Sequence, residues 1–520
     1  MSFSCLNNFF NITYNADQKS AGSAVHAAGE LTQQLLGYTG GEGGTGKSQV
    51  IKAIQFLFKL CKTDHWLRSA SYTGTAANNI NGTTLSSLLK DNQKQKEDQL
   101  TVSFEKMEGL RISLGSIKFM IIDEVSMLST QWLAKLDARC KQARGGKFSE
   151  LPFGGIHIIC FGDFVQYPPV GGTPLYQLIC TSKKATKTSK LNHVLGRALW
   201  LQFDYVKFLV QQMRQDDERF YKIVNDLRNS SATDIQSNYD ILCKRIPGPH
   251  ADPDATFANY SDAPVITTRN AVREAINLAK TKCAALEKNE KQLIILANDK
   301  YATGSKPSYD QRVKVLHMSD KHTEKLPGML PLISGMPLVV KHNLATELGV
   351  CNGTLCTLAT IVFPAGSEPD NTQSTTAEEH FLTKQPSYLI VNVPNPKFKP
   401  FPGLLPGQFP LFPISKTFVA KVGDSSYKVK RTQFPCQAAF ALTGYTAQGG
   451  TFPKAILDLS SPNGNHSINH ADIYVLLSRL KKLSGLLILR PFNIEVLATT
   501  PVGPLQAEIT RLGRVSEPKP

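Results

Sequence analysis

The stretch GGEGGTGKSQV, Gly40 to Val50, sets five glycines beside a lysine and a hydroxyl and runs straight into the apolar-periodic IKAIQFLFKL. Its spacing, Gly41-x-x-x-x-Gly46-Lys47-Ser48, is that of a loop whose backbone N–H groups cradle phosphates at a helix N-terminus. Gly41, Gly43, Gly44, Thr45 and Gly46 supply the backbone, Lys47 reaches the β and γ phosphates, and the Ser48 hydroxyl holds Mg²⁺. Further along, MIIDEVSM puts Asp123 and Glu124 at the end of an apolar run. An aspartate there can share the Mg²⁺ with Ser48, and the neighbouring glutamate can orient and deprotonate an attacking water. In CFGDFVQYPPV a third run ends, and Gln166 sits in a turn fixed by Pro168 and Pro169, where it can contact the γ-phosphate or the water.

Such groups need rigid elements behind them. KFMIIDE, IHIICFGD, APVITTRN, AILDLS and GLLILRP are apolar throughout rather than alternating, which suits strands buried on both faces of a parallel sheet. QQLLGY before the loop is read as a strand. Ser48–Leu60 is read as a helix, with Ile51, Ile54 and Phe58 at helical spacing. Strands alternating with helices argue for an α/β fold. Two stretches change texture. Residues 90–112 begin polar and charged, as a small excursion from the first sheet. Residues 331–431 turn rich in Pro and Gly with short β-like runs, as a small β-barrel insert would. The tail from 501 to 520 is expected to be mobile.

With 520 residues the chain is too long for one core. A net charge of +16 favours a polyanionic partner. Ten cysteines without a C-x-x-C pair read as thiols in a reducing compartment, not as a disulfide framework or zinc site. No run of 18 apolar residues occurs, so no membrane-spanning helix is expected, and the N-terminus lacks the pattern of a secretory signal. These features suggest an intracellular protein.

The order of GGEGGTGKS, SYTGTAANNINGTTLSS, IIDEVSML, PFGGIHIICFGDFVQYPPV, QQMRQDDERFYKIVNDLR, VITTRNAVREAIN and YVLLSRL resembles the PIF-one-type DNA helicases of superfamily one, relatives of the RecD helicases. That resemblance spans Asn15 to Phe492. It implies two RecA-like domains, the first over 1–202 and the second over 203–330 and 432–500. It also implies a wedge at 90–112, an SH3-like module at 331–431, and ATP with Mg²⁺ between the domains. Movement 5′ to 3′ on single-stranded DNA, unwinding of junctions by a monomer, and roles in DNA repair, recombination and telomere maintenance follow from the same resemblance. So does a nuclear location, with the mitochondrion as alternative. Residue by residue, Gln18 matches the adenine reader and Gly449 joins the nucleotide set. Arg214 and Arg479 match two second-domain arginines that reach the γ-phosphate. Thr73, Gly74, Thr75, Thr443 and Gln448 match contacts to the DNA strand.

Three departures from the family pattern stand out. Ser86 stands in place of histidine, Tyr167 in place of leucine, and Thr446-Ala447 in place of lysine-serine. Losing that lysine removes a positive charge where a phosphate is expected. Two alternatives therefore stand beside the motor: an ATP- and nucleic-acid-binding remnant that does not unwind, and a helicase segment descended from a Helitron-type transposon. The chain starts shortly before the adenine motif, so no long N-terminal extension is expected.

Overall fold

The computed structural model describes residues 34–91, 100–179, 186–229, 234–302, 307–365, 379–382, 384–394, 396–460, 468–501 and 503–517. The chain divides into two compact units. One comprises Met1–Thr233, Asn469–Ser478 and Leu497–Pro520; the other comprises Asp234–Ile468 and Arg479–Val496.

Six strands build the sheet of the first unit: β1 (Leu36–Gly41), β2 (Leu67–Ser71), β3 (Thr83–Thr84), β4 (Phe119–Asp123), β5 (His157–Gly162) and β6 (Tyr205–Leu209). Their order is β3-β2-β4-β5-β1-β6 and every pairing is parallel. β1, β4 and β5 are buried at every position, which is why their sequences carry no polar face. The Lys47–Leu60 helix presses Ile51 and Ile54 against Ile121, Ile159 and Phe161 on one side of this sheet. The Thr130–Arg144 helix brings Trp132, Leu133 and Leu136 to the other.

The second unit runs in chain order through β7 (Val265–Thr267), β8 (Gln292–Leu296), β9 (Asn298–Tyr301), β10 (Met329–Leu332), β11 (Pro337–Val340), β12 (Leu355–Val362), β13 (Glu379–Leu382), β14 (Tyr388–Asn392), β15 (Gln408–Leu411), β16 (Ile414–Val422), β17 (Ser425–Gln433), β18 (Cys436–Ala438), β19 (Ala441–Thr443), β20 (Ala455–Leu457) and β21 (Leu486–Ile488). The last three join β7 in a parallel sheet of order β19-β7-β20-β21. The strands between form three mostly antiparallel sheets, ordered β10-β8-β13, β15-β14-β12-β11-β18 and β16-β17-β9. The α/β class with parallel sheets is thus as expected. All five apolar runs became parallel strands.

Three boundaries differ from expectation. The strand before the phosphate loop begins at Leu36, not at Gln33, and continues to Gly41. The first unit does not stop at 202. Tyr205–Leu209 pairs along β1, because only a sixth strand covers that open edge, and it carries Arg214 into the first unit with it. The tail is not free between Gly503 and Ser516. It is a helix whose Leu505 and Leu512 enter the core of the first unit. Glu508, 2% exposed, holds it there by accepting from Trp200 Nε1 at 2.7 Å, Arg197 Nη2 at 3.0 Å and Arg511. Of the excursion at 90–112, residues 92–99 lie outside the described residues. Its last part, from Phe104, lies in a helix, Phe104–Leu114, anchored by buried Leu110 and Leu114.

Candidate nucleotide site and nucleic-acid contacts

The site is built at the carboxyl edge of the first sheet, where parallel strands deliver their loops together. Gly40 lies level with Gly162, Ile122 with Cys160, and Ser71 with Asp123, so β1, β2, β4 and β5 all end at one height. β5 separates β1 from β4. Two strand spacings, about 10 Å, therefore divide the phosphate loop from the acidic pair. That gap suits a phosphate chain reaching from one to the other.

Beyond β1 the loop turns on Gly44 (φ 104°) and Gly46 (φ 86°), conformations that side chains with a Cβ rarely adopt. Gly46 opens the Lys47–Leu60 helix without a side-chain cap and with no acidic residue in the first turn, so the helix's positive end is left for an anion. Lys47 Nζ donates to the carbonyls of Gly41 (2.6 Å) and Glu42 (2.7 Å). Its enclosure pushes the ammonium below the usual lysine range, against the pull of Asp163, Glu124 and Asp123. Ser48 follows in the first turn of the same helix.

Asp123 ends β4 at 6% exposure. Burial, and then the neighbouring Glu124 charge, push its carboxyl up to about 7, although the Glu124 N–H at 2.9 Å and Lys47 pull the other way. A buried carboxylate so short of positive charge fits a divalent cation. Glu124 takes a left-handed backbone (φ 55°, ψ 46°), which breaks the strand and points the chain into the Val125–Met127 turn. For a residue other than Gly, Asn or Asp this costs on the order of 1–2 kcal/mol, and the surrounding fold must impose it.

Gln166 is buried, its N–H bonded to the Asp163 carbonyl at 3.0 Å. Sequence reasoning passed over Asp163 itself. Burial would raise its carboxyl, but Arg228 and Lys47 hold it below the usual carboxylate range. Arg228 Nη2 lies 3.2 Å from Oδ1, and the Tyr474 hydroxyl donates to Oδ2 at 2.8 Å. The only sequence signal was a Gly-Asp pair ending a buried strand, with its partners on helices 65 and 311 residues away.

Arg214, expected in the second domain, stands beside the loop in the first unit. Met213 N–H donates to the Gly44 carbonyl at 3.0 Å, Gln212 Nε2 to Gly43 at 3.0 Å, and Arg214 Nη1 to the Ser478 carbonyl at 2.9 Å. Gln212 is a second residue that sequence reasoning missed. The Ser478 carbonyl closes the His470–Leu477 helix, which this unit also holds through His470 Nε2 on the Leu227 carbonyl (2.6 Å) and a Tyr167–Asp472 hydrogen bond. The unusual Tyr167 is thus built into the wall behind Gln166. Arg479 belongs to the second unit, where its Nη1 donates to the Gly450 carbonyl at 3.3 Å. Gly449 is nearby in sequence, with φ 78°. Gln18 lies outside the described residues.

For the DNA contacts, Thr73 caps the Gly74–Asn79 helix by accepting from Ala76 N–H at 3.2 Å, with Gly74 buried and Thr75 half-buried. In the second unit, Thr443 ends β19 and its hydroxyl meets that of Thr446 at 3.0 Å. Gln448 is buried there. A hydroxyl pair now occupies the place where a lysine was expected.

The motifs and the sheet agree with one family. Residues 13–238 match the PIF1-like helicase family. The PIF1-like resemblance extends further in individual relatives. The ATP-dependent DNA helicase Pif1 of Psychrobacter sp. is 25% identical over 484 residues, covering 86% of this chain and 65% of that protein. The ATP-dependent DNA helicase PIF1 of Xenopus laevis is 30% identical over 194 residues, 37% of this chain and 27% of its own length. The chain thus spans less than two thirds of the curated relatives it matches. The fold is that of Pif1 structures. Pif1 helicase from Candida albicans superposes with a TM-score of 0.59 at 20% identity, covering 95% of this chain and 100% of that one. The Bacteroides Pif1 complex with ADP-AlF3 and single-stranded DNA gives 0.60 at 20% identity, covering 96% and 98%. Among the described residues no helix is long and apolar enough to cross a membrane.

Proposed function

We propose that the chain is an ATP-dependent DNA helicase that hydrolyses ATP as it moves 5′ to 3′ along single-stranded DNA and separates duplex ahead of it. The observation that carries the reading is the alignment, on one carboxyl edge, of Lys47 in its phosphate loop with buried Asp123 and its neighbour Glu124 two strands away. Ser48 and Asp123 would hold Mg²⁺, which supplies charge neutralisation to the phosphates. Lys47 exchanges its loop carbonyls for phosphate oxygens. Glu124 takes the proton of the attacking water, and Gln166 orients that water. Arg214, fixed beside Gly44, stabilises charge on the transferred group; Arg479 is assigned the same task from its motif. Gln18 and Gly449 are assigned to the nucleotide. Thr73, Gly74, Thr75, Thr443 and Gln448 are assigned to the strand, through hydroxyls and backbone that contact phosphates without reading bases.

The reading extends to one copy acting on strands and junctions, with duties in DNA repair, recombination and telomere maintenance in the nucleus or mitochondrion. A second reading, ATP turnover without unwinding, is favoured by the Thr443–Thr446 hydroxyl pair, which offers a phosphate no cation. ATP hydrolysis with and without oligothymidylate, for the parent and Lys47→Ala, tests the motor. DNA should raise the parent's rate severalfold and Lys47→Ala should abolish it; a parent rate indifferent to DNA defeats the proposal. Duplexes with 5′ or 3′ tails test direction, and preference for the 3′ tail reverses that part of it. Hydrolysis that responds to DNA without any unwinding selects the second reading.

A further inference from the structure

The strands β16, β17 and β9 form a three-stranded antiparallel ribbon in which β17 is central. One face is a small core. Phe418, Ala420, Val422 and Val429 pack with Val315, and buried Arg431 places Nε and Nη2 on the two oxygens of Asp299 at 2.8 and 2.7 Å. The alternation of a strand sends the other residues outward. That outer face carries Lys300, Lys421, Lys428 and Lys430, all exposed, and no carboxylate. Its remaining positions are serine, threonine and asparagine, apart from Val419. Among the described residues none of the four lysines makes an ion pair; Asp299 on β9 faces the core and is held by Arg431, and Asp424 lies at the turn between β16 and β17.

The positions of these lysines matter as much as their number. Lysines commonly guard sheet edges against pairing with another chain. Edge protection accounts for Lys421 on β16 and Lys300 on β9, but not for Lys428 and Lys430, which sit on the central strand. Lys430 lies directly opposite Lys300, about 5 Å away, and about 7 Å from Lys428. Like charges so close repel one another, and the shared core beneath holds their strands in register. A polyanion relieves that repulsion.

We propose that this ribbon face is a docking surface for the phosphate backbone of duplex DNA, separate from the residues assigned above to the single strand. The face has no aromatic residue, so it has nothing on which unstacked bases could stack, as single-strand grooves require. It offers cations and hydroxyls, the groups that hold phosphates without reading sequence. A duplex carries one negative charge per about 1.7 Å of axis, so a patch of this size meets several phosphates wherever it lands. The inference rests on the helicase reading for its choice of DNA as the polyanion.

The test is the triple variant Lys300→Glu/Lys428→Glu/Lys430→Glu beside the matching triple arginine variant, both checked for unchanged thermal unfolding. Binding to a blunt duplex and to oligothymidylate is measured by anisotropy across a salt series. The glutamate variant should bind duplex at least about tenfold more weakly at low salt. Its log K against log salt slope should be shallower by about 2 to 3, since each phosphate contact contributes about 0.9. The arginine variant should match the parent, and oligothymidylate binding and the hydrolysis it stimulates should persist in both. Unchanged duplex affinity and slope in the glutamate variant overturn the proposal. Equal loss on oligothymidylate overturns the assignment to duplex. A parent whose hydrolysis ignores DNA defeats the helicase reading alone, because duplex affinity and its salt slope still judge the ribbon.

Discussion

Replacing Asp123 by asparagine should stabilise the nucleotide-free protein at pH 8 while removing the ATP hydrolysis proposed for it. Asp123 is almost fully enclosed, and burial with the Glu124 charge lifts its carboxyl from the usual 3.8 to about 7. Between those values the folded chain keeps a proton that the unfolded chain has lost. Stability therefore falls as pH rises through that window and is flat above it. At about 1.4 kcal/mol per pKa unit the full cost at pH 8 is slightly over ~4 kcal/mol; Glu124 shares the repulsion, so roughly 2–4 kcal/mol is expected. Asparagine keeps the shape without the charge. For a unit of this size each kcal/mol moves the midpoint by about 2–4 °C, so Asp123→Asn should melt several degrees higher at pH 8. At pH 5.5, inside that window, the gain should shrink to roughly half, and it should vanish only below pH 3.8, where the unfolded chain is protonated as well. Adding Mg²⁺ should stabilise the parent and not the variant. Differential scanning fluorimetry at both pH values, with and without Mg²⁺, decides it. A variant that melts at or below the parent at pH 8, or a gain as large at pH 5.5 as at pH 8, refutes the reasoning.

Other expectations follow from the same contacts. Gly44→Ala puts a Cβ at φ 104°, into the Gln212 side chain and 2.5 Å from Arg214 Cβ. With strain of order 1–3 kcal/mol it should weaken nucleotide binding at least about tenfold in a titration while the protein stays folded, and unchanged affinity would count against the loop geometry. Glu508→Ala leaves half-buried Arg197 Nη2 and buried Trp200 Nε1 without this acceptor, so urea unfolding of the first unit should show a loss of about 3–5 kcal/mol. A loss under 1 kcal/mol would mean the C-terminal helix adds little. Asp163→Asn should cost a similar amount at neutral pH through Arg228 and Tyr474. Because that carboxyl is held below its usual 3.8, the stabilisation is complete above that pH and is lost as pH falls further. The gap between parent and variant should therefore close in acid, and a gap independent of pH would contradict the ion pair.

The sequence alone determined the pieces whose physics is local. A phosphate loop needs glycines at fixed spacing before a helix, and strands buried on both faces need unbroken apolar runs. So Gly41–Ser48, Asp123–Glu124 and the five apolar strands could be read directly. β2, spelled LRSAS, and β6, spelled YVKFL, gave no such signal. β6 closes the sheet edge and is only partly covered, so its residues need not be apolar. Only pairing with β1 decides that it belongs to the first unit and brings Arg214 to the loop. The same holds for Asp163, whose partners Arg228 and Tyr474 meet it from far along the chain, and for the C-terminal helix fastened at Glu508. Tertiary structure also settled the surroundings of Thr446, whose hydroxyl turns to Thr443. Contacts of long sequence separation leave no spacing to read, because each partner's identity is set by where the chain returns and not by its neighbours.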